Sequence, residues 1–152
     1  MPESNIEITH RWFEEVWNQG RLSSIDELTA PHATGKGQVE HPVSLDLSEF
    51  RNFVLRWRAA FPDVRVTIED CFSEGDKVVA RWTAVMTHTG PFAGIPATNR
   101  KVSVSGISIQ KIENARIIEG WDNWDQYGLL NQIGALPKVS LGAQPMDSVS
   151  VA

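Results

Sequence analysis

Three features of the sequence predict an α+β domain, in which N-terminal helices pack on a curled, cone-shaped antiparallel β-sheet. Apolar residues recur at helical spacing up to residue 60 and alternate as in strands from residue 64 onward. Helices that precede a run of strands are typical of α+β proteins. The strands are long, and long bulged strands curl, so helices that close such a sheet leave an internal apolar pocket.

Helical spacing in the first half of the chain predicts three helices. We expect them over residues 5–19, 22–29 and 48–60. Gly20 is a stop signal after the first helix, and Ser23 or Ser24 is the expected N-cap of the second. Residues 31–45 are rich in Pro, Gly, His and Thr, so we expect a loop there.

Alternation of apolar and polar residues predicts the strands of the second half. We expect strands over residues 64–69, 77–88, 102–112 and 116–125, and a short final helix over residues 125–133. In the third strand the apolar residues change from even to odd positions near Gly106, which predicts a glycine bulge. We expect one domain over residues 1–135 and a small, polar tail over residues 136–152 that is disordered or docks on a partner.

Composition and charge exclude several classes of function. The chain has 152 residues, of which 41% are hydrophobic and 22% charged, and its net charge is -5. Without a basic run or a basic–aromatic stripe, neither nucleic acid nor an anionic membrane is an expected partner. A single cysteine, Cys71, suits a reducing compartment. Since no signal peptide or membrane-spanning segment is predicted, we expect a cytoplasmic protein.

The last predicted strand carries the strongest functional signal, Trp121-Asp-Asn-Trp-Asp125. Strand alternation places Asp122 on the same face as Gly120 and Trp124. A carboxylate in an apolar, aromatic row is costly unless it is paired, hydrogen-bonded or protonated, and such carboxylates often serve as general bases. The alternative is that Asp122 caps the following helix, although Asp125 stands closer to that helix.

Other titratable residues are weaker candidates for a site. His88 has a suitable pKa range for proton transfer, and it stands at a strand end in Thr-His-Thr-Gly, where a histidine can also tie down a loop. His32 and His41 flank a polar loop, but their spacing gives no set of three converging ligands, so no metal site is predicted. Tyr127 lies beyond the last strand, which disfavours an oxyanion pair of the ketosteroid isomerase type.

Several motifs, in this order and spacing, resemble the SnoaL-like polyketide cyclases of the nuclear transport factor 2-like superfamily. The resemblance runs from about Ile6 to Gly134 and rests on these segments: Trp17-Asn-Gln-Gly20, Phe61-Pro-Asp-Val-Arg-Val66, Glu74-Gly-Asp-Lys-Val-Val-Ala-Arg-Trp-Thr83, Thr87-His-Thr-Gly90, Gly94-Ile-Pro-Ala-Thr98, Glu119-Gly-Trp-Asp-Asn-Trp-Asp125 and Gly128-Leu-Leu-Asn-Gln-Ile-Gly134.

The resemblance implies an α+β cone that uses acid–base chemistry without a cofactor. In such cyclases an aspartate of the last long strand removes a proton next to a carbonyl before an intramolecular aldol closure, and Asp122 matches that aspartate. The chain departs from the founding cyclase at Ser108, where that enzyme has a histidine, and near Gly35, where it has a polar residue. The resemblance also implies association through the sheet, so we expect a homodimer or homotetramer.

The leading hypothesis is therefore an enzyme that acts on a small, apolar, carbonyl-containing molecule, with Asp122 and His88 as catalytic residues. Cyclase, isomerase and dehydratase reactions are all compatible with it. The residues expected to bind the substrate are Trp82, Met86, Trp124, Trp57, Phe13 and Ser108. One alternative is a non-catalytic carrier or sensor of an apolar ligand. Another is an epoxide-hydrolase-like enzyme, which needs an Asp-Arg-Asp relay, whereas Arg81 faces away from Trp82.

Overall fold

The computed structural model of the protein describes residues 3–38 and 44–137. In chain order its elements are helix α1 (Asn5–Arg11), a π-helical segment (Trp12–Asn18), helix α2 (Ser23–Leu28), strands β1 (Thr29–Lys36) and β2 (Ser44–Leu45), helix α3 (Leu47–Ala60), strands β3 (Arg65–Glu74), β4 (Lys77–Thr87), β5 (Lys101–Glu113) and β6 (Arg116–Trp124), and helix α4 (Gln126–Gln132). The α+β class is confirmed, and the helices pack on a curled, unclosed sheet. Most of the predicted tail, residues 138–152, lies outside the described residues.

The six strands form one sheet in the order β2-β1-β6-β5-β4-β3. All neighbouring pairs are antiparallel except β1 and β6, which run parallel. The prediction of a loop over residues 31–45 was wrong, because β1 occupies its first half. Pro31 is the reason that no strand was predicted here. This proline lies where the pairing of β1 with β6 is irregular, between Thr29 and Thr34. A proline, which lacks an N–H group, is tolerated at such a break in the ladder.

The predicted bulge at Gly106 is also absent. The register of β5 with β4 is continuous from Lys77 opposite Lys111 to Thr87 opposite Lys101. Even-numbered residues of β5 are buried along its whole length, so Ile107 lies on the outer face of the sheet. The apolar residues at odd positions after Gly106 therefore belong to an apolar outer face of the sheet. The irregularity in the pairing of β5 with β6 lies elsewhere, between Lys111 and Ile112.

Helices α2 and α3 begin in different ways. Helix α3 begins with a capping box, in which Asp46 accepts from the Glu49 backbone and the Glu49 side chain accepts from the Asp46 backbone. Helix α2 has no side-chain cap, and the hydroxyl of Ser24 instead donates to Glu15, 2.6 Å away. Neither Ser23 nor Ser24 is therefore the N-cap.

The core lies between the helices and the inner face of the sheet. Helix side chains such as Ile8, Val16 and Val54 pack there with the strand residues Val78 and Val102. Within residues 3–38 and 44–137, no helix is long and apolar enough to cross a membrane.

Candidate active site

Two rows of residues cross the inner face of the sheet and define the site. In one row Ser108 of β5 lies opposite Asp122 of β6. In the next row Gly106 lies between Trp82 of β4 and Trp124 of β6. A β-carbon at Gly106 would overlap the Trp82 ring, so glycine is what allows both indoles to pack in this row. The strand register thus places a carboxylate beside two indole rings.

The π-helical segment closes the site from the opposite side. A π-helix places side chains differently from an α-helix, because its hydrogen bonds span five residues. Trp12, Phe13 and Trp17 of this segment line the same cavity as Trp82 and Trp124. The sequence predicted a single helix over residues 5–19, and the structure changes its second half into this wider turn.

The cavity has a volume of about 540 Å³ including its open mouth. Aromatic and aliphatic side chains form most of its wall, which consists of Trp12, Phe13, Trp17, Gln38, Phe53, Trp57, Val64, Val66, Trp82, Ala84, Val104, Asp122 and Trp124. Asp122 is the one ionisable side chain among these lining residues.

A chain of hydrogen bonds orients the Asp122 carboxylate. Trp82 donates from Nε1 to Ser108 Oγ at 2.9 Å, and the Ser108 hydroxyl donates to Asp122 Oδ1. Because an indole N–H can only donate, Ser108 accepts from Trp82 and keeps its own proton for Asp122. Gln38 donates from Nε2 to the other carboxylate oxygen, Oδ2. Both oxygens of Asp122 are therefore fixed by neutral donors.

Burial raises the pKa of Asp122 above its ordinary value of 3.8, because the surrounding protein disfavours the charged form. The hydrogen bonds from Ser108 and Gln38 favour the carboxylate, but they do not cancel the effect of burial. The residue keeps some accessible surface, since its carboxylate faces the cavity. A carboxylate with a raised pKa is a stronger base than an ordinary surface aspartate.

Gln38 was not predicted from the sequence, because it lies in the segment that was expected to be a loop. Strand β1 runs parallel to β6 up to Lys36, which lies opposite Trp121. Gly37 then turns with a φ of +89°, and a β-carbon there would overlap the Asp122 backbone carbonyl. The Gly37 carbonyl also accepts from Trp124 Nε1 at 3.0 Å. This close approach of the two strands brings Gln38 onto the carboxylate.

Five of the six residues predicted to bind substrate lie at the site. Phe13, Trp57, Trp82 and Trp124 line the cavity, and Ser108 binds Asp122 directly. Met86, the sixth, is buried in the core but is not a lining residue.

His88 is not brought to the cavity either. It is fully buried, its Nδ1 lies 2.9 Å from Thr98 Oγ1, and its ring packs against Phe61. These contacts connect the end of β4 to the loop before β5, so His88 has no part in the mechanism proposed below.

The remaining candidates have other contacts. Asp125 is the N-cap of α4 and accepts from the Gly128 backbone at 2.8 Å, as expected. Arg81 lies on the outer face and pairs with Asp70 at 2.6 Å. Among residues 3–38 and 44–137, no three His, Cys, Asp or Glu side chains are grouped to hold a metal ion. His41 lies outside the described residues.

Comparison with known proteins gives concordant results. The family model for SnoaL-like polyketide cyclases matches residues 7–133. Nogalonic acid methyl ester cyclase from Streptomyces nogalater is 28% identical over 123 residues, which cover 78% of this chain and 90% of that enzyme.

Solved structures have the same fold. TsrD from Streptomyces laurentii is 31% identical with a TM-score of 0.74, over 88% of this chain and 100% of that one. AclR from Streptomyces galilaeus, a candidate hydroxylase, is 25% identical with a TM-score of 0.78, over 91% and 87% of the two chains. The chain belongs to the SnoaL-like polyketide cyclase family of enzymes.

Proposed function

We propose that the protein is a cofactor-free cyclase that closes a ring in a polyketide-like β-keto ester, with Asp122 as its general base. One observation carries the proposal. Among the described residues that line the aromatic cavity, the one ionisable side chain is a carboxylate whose two oxygens are oriented by Ser108 and Gln38. Such an arrangement suits proton removal from carbon, which needs a desolvated and fixed base.

The proposed reaction is an intramolecular aldol addition. The Asp122 carboxylate takes a proton from the carbon between two carbonyl groups, and the C–H electron pair becomes an enolate. The enolate carbon attacks a ketone carbon of the same molecule, so that a C–C bond forms and the carbonyl oxygen becomes an alkoxide. Asp122 then returns its proton to the alkoxide. No electrons are exchanged with another molecule, and the base is regenerated.

The aromatic wall has two functions in this mechanism. Indole and phenyl rings exclude water from the enolate and bind the flat, conjugated part of a polyketide by stacking. The wall also maintains the raised pKa of Asp122, which brings its proton affinity closer to that of the carbon acid. The donors Ser108 and Gln38 favour the carboxylate form and therefore limit this rise.

Two alternatives use the same cavity. A carrier of an apolar ligand needs only the aromatic wall, and a fold alone does not decide the reaction. An epoxide-hydrolase-like relay needs an arginine beside the aspartate, whereas Arg81 pairs with Asp70 on the outer face. The ordered base at Asp122 favours the cyclase over both.

A conversion assay tests the proposal. The relative from Streptomyces nogalater is a nogalonic acid methyl ester cyclase, so nogalonic acid methyl ester is the first substrate to test. We expect the wild type to convert it to an isomer of the same mass, separable by chromatography, and Asp122→Asn to bind it without conversion. Binding without conversion by the wild type would support the carrier instead.

A further inference from the structure

A second cavity adjoins the aromatic one. Its volume is about 450 Å³ including its mouth, and it shares Trp12, Gln38 and Asp122 with the first cavity. Residues of β1 and of the start of α3 form much of its remaining wall, together with Gln110 of β5. The Gln38–Asp122 hydrogen bond therefore lies where the two cavities meet.

The two cavities differ in chemistry. Apart from Gln38 and Asp122, the first is lined by aromatic and aliphatic side chains. The second has four further polar side chains in its wall, namely Thr29, Thr34, Asp46 and Gln110. A molecule that occupies both cavities would thus place an apolar part against the indoles and a polar part beyond Gln38.

Gln38 has an unused hydrogen-bonding group at this junction. Its side chain is only 5% exposed, and Oε1 has no hydrogen-bond partner in the described structure. A carboxylate can only accept, so the amide nitrogen must face Asp122 and the amide oxygen must face elsewhere. Gly35 provides room for the amide, since a β-carbon there would lie 3.0–3.2 Å from its atoms.

We propose that the second cavity is a subsite for a hydroxyl-bearing part of the substrate, which donates a hydrogen bond to Gln38 Oε1. A buried acceptor without a partner is costly, and a ligand donor would satisfy it. Ketone and ester groups only accept, so a phenol or alcohol is the group that Gln38 can recognise. The inference rests on the proposed function, because it places the carbon acid of the same molecule at Asp122.

Calorimetric titration with three probes tests the subsite. The probes are methyl benzoylacetate and its 3-hydroxyphenyl and 4-hydroxyphenyl derivatives, which differ only by a hydroxyl donor. We expect the wild type to bind at least one hydroxylated probe about tenfold more tightly than the parent, the upper end of a typical net hydrogen bond. Gln38→Met keeps the length of the side chain without an acceptor, so it should bind all three probes within about threefold, since the discriminating hydrogen bond is lost.

A binding measurement separates this inference from the proposed function, because it detects no turnover. Asp122→Asn should lose the preference for the hydroxylated probe, because its amide can donate to Gln38 Oε1 and turn the Gln38 amide around. A wild type that binds the three probes equally, or a Gln38→Met variant that retains the preference, would overturn the subsite. Neither result depends on whether Asp122 is the base.

Discussion

In the proposed mechanism, Asp122 and the residues that bind it determine the chemistry of the site. Trp82, Ser108 and Gln38 are all neutral, so they orient the carboxylate without supplying the positive charge that would lower its pKa strongly. Burial is therefore left as the dominant effect on the proton affinity of Asp122. A base that is oriented but not neutralised is what proton removal from carbon requires.

The pKa of Asp122 can be measured directly by ¹³C NMR titration of its carboxyl carbon. We expect a value above 3.8 in the wild type, because burial disfavours the charge. Ser108→Ala removes a bond that favours the carboxylate, so the pKa should rise further. The matched control is Ser105→Ala, an exposed serine on the outer face of the same strand, which should leave the titration unchanged. An unshifted or lowered value in the wild type would contradict the enclosed base.

The same pKa predicts how stability depends on pH. An aspartate whose pKa is raised in the folded state binds more protons when folded than when unfolded. The free energy of unfolding therefore falls as the pH rises from about the pKa of Asp122 in the unfolded state to its pKa in the folded state. Asp122→Asn removes this contribution, so the variant should gain on the wild type between pH 4 and pH 8 in urea unfolding. If the difference in unfolding free energy between Asp122→Asn and the wild type is the same at pH 4 and at pH 8, the pKa of Asp122 is not raised in the folded state.

The parallel pairing of β1 with β6 is the element contact on which the site depends. It brings Gly37 against the Asp122 backbone and Gln38 onto the carboxylate. Gly37 has a positive φ and no room for a β-carbon, so both its conformation and its packing require glycine.

Substitution of Gly37 separates these two requirements. Gly37→Ala should lose more stability than the roughly 1–3 kcal/mol of a strained backbone, because it also pushes β1 away from β6. Gly75→Ala is the control, since its φ is +58° but nothing lies within 4 Å of the added carbon. Thermal and urea unfolding of both variants would measure the difference. Equal losses would mean that the strands are not in close contact at Gly37.

The sequence predicted the elements with clear periodicity and missed those that depend on pairing. Helix α3 and strand β4 have strong periodic patterns, and both were predicted nearly to their ends. Strand β1 contains Pro31 and many polar residues, so only its pairing with β6 explains why it is a strand. Gln38 was missed for the same reason, whereas Asp122 was found because alternation alone placed it beside Trp124.

The outer face of the whole sheet bears exposed apolar side chains. Phe72, Val85 and Ile107 are 59%, 54% and 48% exposed, and they come from three neighbouring strands. Exposed apolar side chains from neighbouring strands of one sheet face often mark an association surface. We propose that two copies of the chain pack through this face as a homodimer. A homotetramer would need a second interface in addition to this one.

Sedimentation measurements test the proposed dimer. The wild type should sediment as a dimer or larger at tens of micromolar, above typical dimer dissociation constants of roughly micromolar or less. Ile107→Asp should shift it to the monomer by placing a charge in the apolar face. Leu55→Asp is the control, because Leu55 is 50% exposed but lies on α3. A monomeric wild type at this concentration would contradict the proposal.

The most direct test of the central claim is proton removal by Asp122 itself. Exchange of the α-protons of methyl benzoylacetate in D₂O can be followed by ¹H NMR and corrected for the rate without enzyme. A positioned general base contributes about 10²–10⁴-fold in rate, so Asp122→Asn should lose at least about 100-fold, or about 2.7 kcal/mol. Asp125→Asn should exchange at the wild-type rate and keep close to wild-type stability, because Asn caps a helix about as well as Asp does. Exchange by Asp122→Asn within about threefold of wild type, far from the loss expected of a general base, would show that Asp122 is not the base.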